Sequence, residues 1–383
     1  MPSDVQHGSA LFAPIRLRDT AFKNRIVISP MQQYAAGRDG NPGTWHCEHL
    51  GRLAAGGAGL VFAEVSAVSP EGRNTHFDTG LWSESHIAAW APIVEEIARH
   101  GAVPGIQIGH CGRKASIQCP WDGFGPLGPS DAARGEPPWP VIGPSPIASN
   151  PGWPVPAELS VAQITTLVGQ FADAARRAAA AGFRALNVHG AHGYLIHSFL
   201  SPLSNHRADS YGGNIVGRMK FALEVAEAVR ASWPDPLPIF FRVSAIDGLP
   251  GGWEIDDSIE LARALKRRGI DVIDCSSGGL TTRSTTAAVP RPEGYQVPLA
   301  SAIRDGAQIK TMAVGLIRNP QFAEAVVADQ RADFVAIGRE SLSDAFWPAR
   351  AAVELLGEEK GYALWPRRYG WWLERRAQQL RLA

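Results

Sequence analysis

Eight short β-branched runs, each closed by a turn residue and followed by a stretch of helical period, limit this chain more than any other feature of its sequence. They lie at 25–30 (RIVISP), 59–65 (GLVFAEV), 103–108 (VPGIQI), 184–189 (RALNVH), 237–243 (LPIFFRV), 271–276 (DVIDCS), 309–314 (IKTMAV) and 333–338 (DFVAIG). Near-continuous apolar strands of this kind are buried on both faces, as in a parallel sheet covered by helices. An open sheet of eight such strands would leave edges, so the pattern predicts a closed (β/α)8 TIM barrel. The intervening segments agree. Over 160–181, Ile164, Leu167, Val168, Phe171, Ala174 and Ala175 recur at three and four, Ser160 with Gln163 forms a capping box, and Gly182 ends the helix.

No repeat at a fixed solenoid period and no Ser/Gly/Pro-rich linker divides the 383 residues, so one domain is expected over 1–383. The long irregular stretch at 119–156 carries eleven prolines, too many for helix, and lies between the third strand and its helix, where loops build barrel active sites. It reads as a lid, with Trp121, Trp139, Val141, Ile142 and Trp153 to pack it. Lys plus Arg and Asp plus Glu both total 37, so no net field draws nucleic acid or an anionic membrane. With no apolar run near the ~20 residues of a spanning helix, and none of a secretion signal within 1–19, a cytoplasmic protein is expected. The cysteines, Cys47, Cys111, Cys119 and Cys275, show no metal or disulfide spacing. His46, Cys47, Glu48 and His49 fall in the first turns of a helix, where neighbours point to different faces; they read as solvated residues, and no metal is expected.

In a barrel the chemistry stands at the C-terminal strand ends. Those ends carry Ser29 to Tyr34 after the first strand, Gln107 and His110 to Lys114 after the third, Asn187 and His189 to Tyr194 after the fourth, and Arg242 in the fifth. Gly315 follows the seventh strand, and Gly338 with Arg339 the eighth. The set is rich in neutral donors and has no carboxylate pair, which argues against glycoside hydrolysis. Gly315 and Gly338 expose backbone N–H groups where barrels hold phosphate, and Arg339 adds a charged fork, although glycine is also the ordinary turn residue there. Arg242 suits an anion deep in the mouth or a structural ion pair equally well. His189 and His192 can direct two N–H groups at one oxygen, and Tyr194 adds a hydroxyl able to deliver a proton.

These runs, SPMQQY (29–34), GIQIGHCGRKA (105–115), NVHGAHGYLIHSFLSPLSNHRADSYGG (187–213), FRVSA (241–245), DCSSGG (274–279), AVG (313–315) and IGRE (337–340), resemble the Old Yellow Enzyme family, and within it the bacterial thermophilic-like ene-reductases. The resemblance runs from Leu11 to the Trp-rich tail. It implies a (β/α)8 barrel with non-covalent FMN that reduces activated C=C bonds with NADPH or NADH. Carried over residue by residue, it implies FMN contacts from Ser29, Pro30, Met31, Gln32, Val65, Gln107, Arg242, Gly315, Gly338 and Arg339, with Arg242 at the N1/O2 edge and Gly315 on the phosphate. His189 and His192 would hold the carbonyl oxygen of the substrate, Tyr194 would protonate the α-carbon, and Tyr34 would donate from the opposite side, with hydride passing from flavin N5 to the β-carbon.

Two positions depart from the subgroup: Gln32 replaces a Cys thought to tune the flavin at O4, and Gly217 replaces an Asn. In this subgroup the C-terminus enters the neighbouring subunit's site, so the tail 365–383 is expected to wall a substrate pocket with Trp371 or Trp372, and to offer an Arg in trans, in a homodimer or homotetramer. The alternative for that tail is a helix packed on its own barrel. The iron–sulfur branch of the family needs a cysteine cluster after the barrel, and Cys275 is the last cysteine here. Two other readings stay open: a flavin-free aldolase or isomerase using Lys114 or Glu64 on a phosphorylated substrate, and a flavin-binding sensor without catalysis.

Overall fold

The computed structural model describes residues 8–281 and 291–382. Each predicted run contains a strand: β1 (Ile26–Ile28), β2 (Leu60–Ala67), β3 (Val103–Gly109), β4 (Ala185–Gly190), β5 (Ile239–Ser244), β6 (Val272–Ser276), β7 (Lys310–Ala313) and β8 (Phe334–Ile337). Consecutive strands pair in parallel and β8 returns to β1, closing the barrel. A helix follows each strand on the outside, from Thr44–Ala55 after β1 to Trp347–Leu356 after β8.

Strand alternation sorts the side chains into two cores. Ile106, Ile108, Leu186, Val188, Phe241 and Ile273 face the helices. Leu60, Phe62, Ala185, Phe240, Val272, Met312 and Phe334 fill the barrel, joined by Leu17 and Phe22 of the hairpin Ile15–Leu17/Thr20–Phe22. Phe240 packs edge-on against Phe62 and Phe334, at centroid distances of 5.3 and 5.8 Å. Each buried ring contributes ~2–3 kcal/mol, so this plug makes the lower barrel a rigid base. Above it the inward positions turn polar, with Gln107, Asn187, Arg242 and Asp274 all buried. Asn187 donates to Asp274 at 2.9 Å, and Arg242 lies 3.5 Å from the same carboxylate oxygen.

The helix after β3 spans Val161–Ala180 with the expected cap: Ser160 Oγ accepts from the Gln163 N–H and Gln163 Oε1 accepts from the Ser160 N–H. The 119–156 segment differs from expectation in part. It contains a short helix, Pro129–Ala133, because Pro129 stands at the first helical position, where its missing N–H costs nothing. Ile142–Gly143 pairs with Ala157–Glu158, and Val141 is buried, but Trp121 is 68% exposed and does not pack the segment. The expectation for His46 and His49 is also corrected. They do fall at the start of a helix, Thr44–Ala55, yet both are buried, because that helix lays this face on β1 and β2.

The tail forms the helix Arg367–Leu382. Trp365 stacks on Phe346 of the same chain at 5.2 Å, whereas Trp372 is 67% exposed. Among the described residues no helix is long and apolar enough to cross a membrane.

Candidate active site

The mouth of the barrel is shaped by a fault in one strand. Along β2 and β3, Ala63 pairs with Ile106 but Val65 pairs with Gln107, leaving Glu64 as an extra residue. A bulge of this kind reverses the alternation beyond it. Val65 thus stands level with the inward-facing Gln107, and Gly109 admits it: a Cβ on Gly109 would lie 2.8 Å from Val65 Cγ2 and 3.1 Å from His189 Cβ. Glu64 itself turns under the loop after β1. Its carboxylate accepts from the Gln33 N–H and from His46 Nε2, 3.2 Å away. His46 Nδ1 accepts the Gly43 N–H, so the imidazole proton sits on Nε2. Burial pushes the Glu64 carboxyl upward, opposed by these donors. Glu64 is therefore a brace for the 29–34 loop.

Ser29, Pro30, Met31, Arg242, Gly315, Gly338 and Arg339 line one cavity of about 430 Å³ with Gln296 and Ser276. Gly315 has φ +126°, which a side chain would strain, and an added Cβ would meet Gln296 Oε1 at 3.1 Å. Among the described residues the nearest atom to a Cβ added at Gly338 is Ser29 Cβ at 3.9 Å, so its lack of a side chain keeps space open. Beside this cavity several buried polar atoms have no hydrogen-bond partner among the described residues: both amide atoms of Gln32, Gln107 Nε2, Asn187 Oδ1 and Arg242 Nε. Unpaired buried groups cost ~1–3 kcal/mol each, so a set of them at one mouth fits a polar, planar ligand edge with both donors and acceptors. The cavity and this edge together suit a phosphorylated flavin mononucleotide.

The β4 end brings the second group together. The His189 and His192 rings stand 5.1 Å apart, and the Tyr194 ring lies 4.8 Å from His189. Burial, and then the Arg242 charge, hold both imidazoles well below the usual histidine range, so they are neutral at pH 7. His189 Nδ1 accepts the Ala191 N–H, which leaves the proton on Nε2. His192 is in the left-handed region at φ +58° and is held there on three sides. Its N–H donates to Ser244 Oγ at 3.0 Å, its carbonyl accepts from Lys114 Nζ at 2.9 Å, and its Nε2 lies 2.7 Å from Ser276 Oγ. Lys114 also donates to the Gly279 carbonyl, tying the β4 and β6 loops together, and burial pushes its ammonium down to about 7.

His192, Tyr194 and Lys114 line a separate, apolar-walled cavity of about 260 Å³ with Asn74, Ile117 and Gly279. Phe124 and Trp153 of the 119–156 segment also line it. Tyr34, at φ +54°, packs edge-on against Trp121 at 5.7 Å, and burial followed by the Asp78 charge pushes its phenol up. Trp372 lies on the exposed tail helix and lines neither cavity of its own chain. Gly217 is a steric requirement: a Cβ there would stand 2.1 Å from the Gly212 carbonyl oxygen. Sequence reasoning missed Asn74, Ser276 and Gln296. Ser276 ends a strand facing inward and could have been found from alternation, whereas Asn74 lies in a stretch without period.

The family model for NADH:flavin oxidoreductase / NADH oxidase matches residues 10–358. An NADPH dehydrogenase of Bacillus pumilus (strain SAFR-032) is 43% identical over 360 residues, 94% of this chain and 98% of the relative. A 2-naphthoyl-CoA reductase structure in complex with 2-naphthoyl-CoA superposes with a TM-score of 0.80 at 25% identity, over 92% of this chain but only 53% of that one. A morphinone reductase variant in complex with tetrahydroNAD gives 0.73 at 25% identity, over 90% of this chain and 91% of its own.

Proposed function

The chain belongs to the NADH:flavin oxidoreductase / NADH oxidase family, the Old Yellow Enzyme group, and from that premise we propose that it is an FMN-dependent ene-reductase acting on activated C=C bonds. As a member of that family it is an NAD(P)H-dependent flavin oxidoreductase. The substrates proposed are α,β-unsaturated ketones and aldehydes, nitroalkenes and maleimides. The observation that carries this reading is the cluster of two neutral imidazoles and a phenol at the end of β4, beside an apolar cavity.

Ser29, Pro30, Met31, Gln32, Val65, Gln107, Arg242, Gly315, Gly338 and Arg339 would hold FMN, which supplies the hydride it receives from NADPH or NADH. The protein's own share is electrostatic and prototropic. His189 presents Nε2–H. With the Ser276 hydroxyl donating to His192 Nε2, the second ring carries its proton on Nδ1, and both N–H groups can meet one carbonyl oxygen. They withdraw charge from the conjugated bond without adding a net charge to a buried site. Tyr194 delivers the proton to the α-carbon, and Tyr34 donates from the other side. Arg242, buried and only loosely paired with Asp274, offsets negative charge at the flavin edge. The proposed enzyme works in the cytoplasm as a single domain over 1–383. It forms a homodimer or homotetramer, with Trp372 of the tail reaching the substrate pocket of a neighbouring subunit.

Purified protein saturated with FMN should bleach on anaerobic addition of NADPH and recover its colour on addition of cyclohexenone. The His189→Ala/His192→Ala double variant should bleach but fail to recover, each donor being worth ~2–4 kcal/mol. Absence of a flavin band after reconstitution, or recovery of the double variant at the parent rate, would overturn the reading.

A further inference from the structure

Asn74 lies between β2 and the helix Ser85–Arg99, buried and held by its backbone from both sides. Its N–H donates to Asp78 Oδ2 at 2.6 Å, and its carbonyl accepts the Ile117 N–H at 2.8 Å. Thr75, the next residue, donates its N–H and its hydroxyl to the other oxygen of Asp78. The side chain is thereby aimed in one direction, and Asn74 Nδ2 donates to the Tyr194 hydroxyl oxygen at 2.6 Å. Both residues line the 260 Å³ cavity.

A phenol has one O–H and two acceptor sites. Once its oxygen accepts from Asn74, its own hydrogen is left for another partner, either the Cys111 sulfur that packs against it or a substrate in the cavity that Asn74 and Tyr194 both line. Building on the ene-reductase reading, we propose that Asn74 is the positioning residue for proton delivery: it turns the Tyr194 O–H toward the substrate and carries the phenolate left behind. The atom balance is simple. After the β-carbon has received its hydride, the electron pair of the resulting enolate takes the Tyr194 proton. The O–H bond breaks with both electrons staying on oxygen, and the α-carbon–hydrogen bond forms. The phenolate then accepts the Asn74 N–H in a charge-assisted bond, roughly twice as strong as the neutral one, until it regains a proton from water.

The surroundings make such a group necessary. Burial pushes the Tyr194 phenol well up, and the acidic groups of Cys111, Tyr34 and Asp78 around it push the same way. The Asn74 amide acts against them. Lys114, which also lines the cavity, is committed to the carbonyls of His192 and Gly279. With the amide turned over, its oxygen toward Tyr194, the hydroxyl would instead donate to Asn74 and its proton would be withdrawn from the cavity. The two orientations make opposite predictions.

The test uses FMN-saturated full-length protein with Asn74→Leu, which removes the donor at similar volume, and Asn74→Asp, which puts an acceptor in its place. Reoxidation by cyclohexenone should fall about tenfold in Asn74→Leu and further in Asn74→Asp. A nitroalkene, whose intermediate anion is already stabilised, should be affected less, as should reduction by NADPH, which does not use the Tyr194 proton. Independently of turnover, a fluorinated tyrosine placed at 194 and titrated by fluorine NMR should ionise about one to two pH units higher in Asn74→Leu. An unchanged titration, or an Asn74→Leu enzyme as fast as or faster than the parent, would overturn the proposal. If the parent itself does not reduce enones, the ene-reductase reading fails, while the titration still decides whether Asn74 acts on the Tyr194 phenol.

Discussion

Asp78 couples the stability of this fold to pH, and Asp78→Asn should uncouple it. The carboxyl is buried, and burial pushes it from an ordinary 3.8 up to about 6, against the donors of Thr75 and Asn74. Between those two pH values the folded protein keeps a proton that the unfolded chain has lost. Protonation of Asp78 therefore favours folding: the contribution is fully present below pH ~3.8 and is lost as pH rises through about 6. A displacement of about two units at ~1.4 kcal/mol per unit makes the contribution ~3 kcal/mol. The asparagine variant has no such dependence. It can still accept Thr75 on its carbonyl oxygen, but its amide would face the Asn74 N–H, donor against donor, at a cost of ~1–3 kcal/mol. Urea unfolding of FMN-saturated parent and variant from pH 4 to pH 8 measures both terms. The variant should be the less stable at pH 4, and the gap should close or reverse by pH 7. Parallel curves over that range would refute the assignment of a raised Asp78 and the burial argument behind it.

Gly338→Ala should melt with the parent, because among the described residues no atom lies closer than 3.9 Å to the added carbon, yet bind FMN about tenfold more weakly, since the methyl enters the cavity wall; calorimetry and flavin titration separate the two effects. Gly315→Ala should lose ~1–3 kcal/mol of stability as well, from its φ of +126°. Gln32→Cys, which removes an amide with both atoms buried and unpaired, should shift the flavin midpoint potential by tens of millivolts, ~30 mV being ~1.4 kcal/mol in a two-electron couple; potentiometric titration reads it directly, and an unchanged potential would place Gln32 away from the flavin.

The barrel was legible in the sequence because strand and helix each impose a period on neighbouring residues, and burial writes that period in apolar side chains. The capping box at Ser160 and the inward march of Asn187 and His189 along β4 are local in the same sense. The motifs of the mouth could be read for a similar reason, since each occupies a single loop after a single strand. What the alternation could not reveal was its own interruption. Counted by twos, Val65 should face the helices, and only the paired register of β2 with β3 exposes the bulge that turns Val65 inward and sends Glu64 beneath Gln33 and His46. The burial of the first-turn histidines His46 and His49 has no local signal, because a helix start says nothing about which strand it will lie on. Asn74 and Tyr194 are 120 residues apart, as Ser276 and His192 are 84 apart. Such contacts join different loops of a ring, so they exist only once the eight strands have closed, and no local pattern in the chain records them.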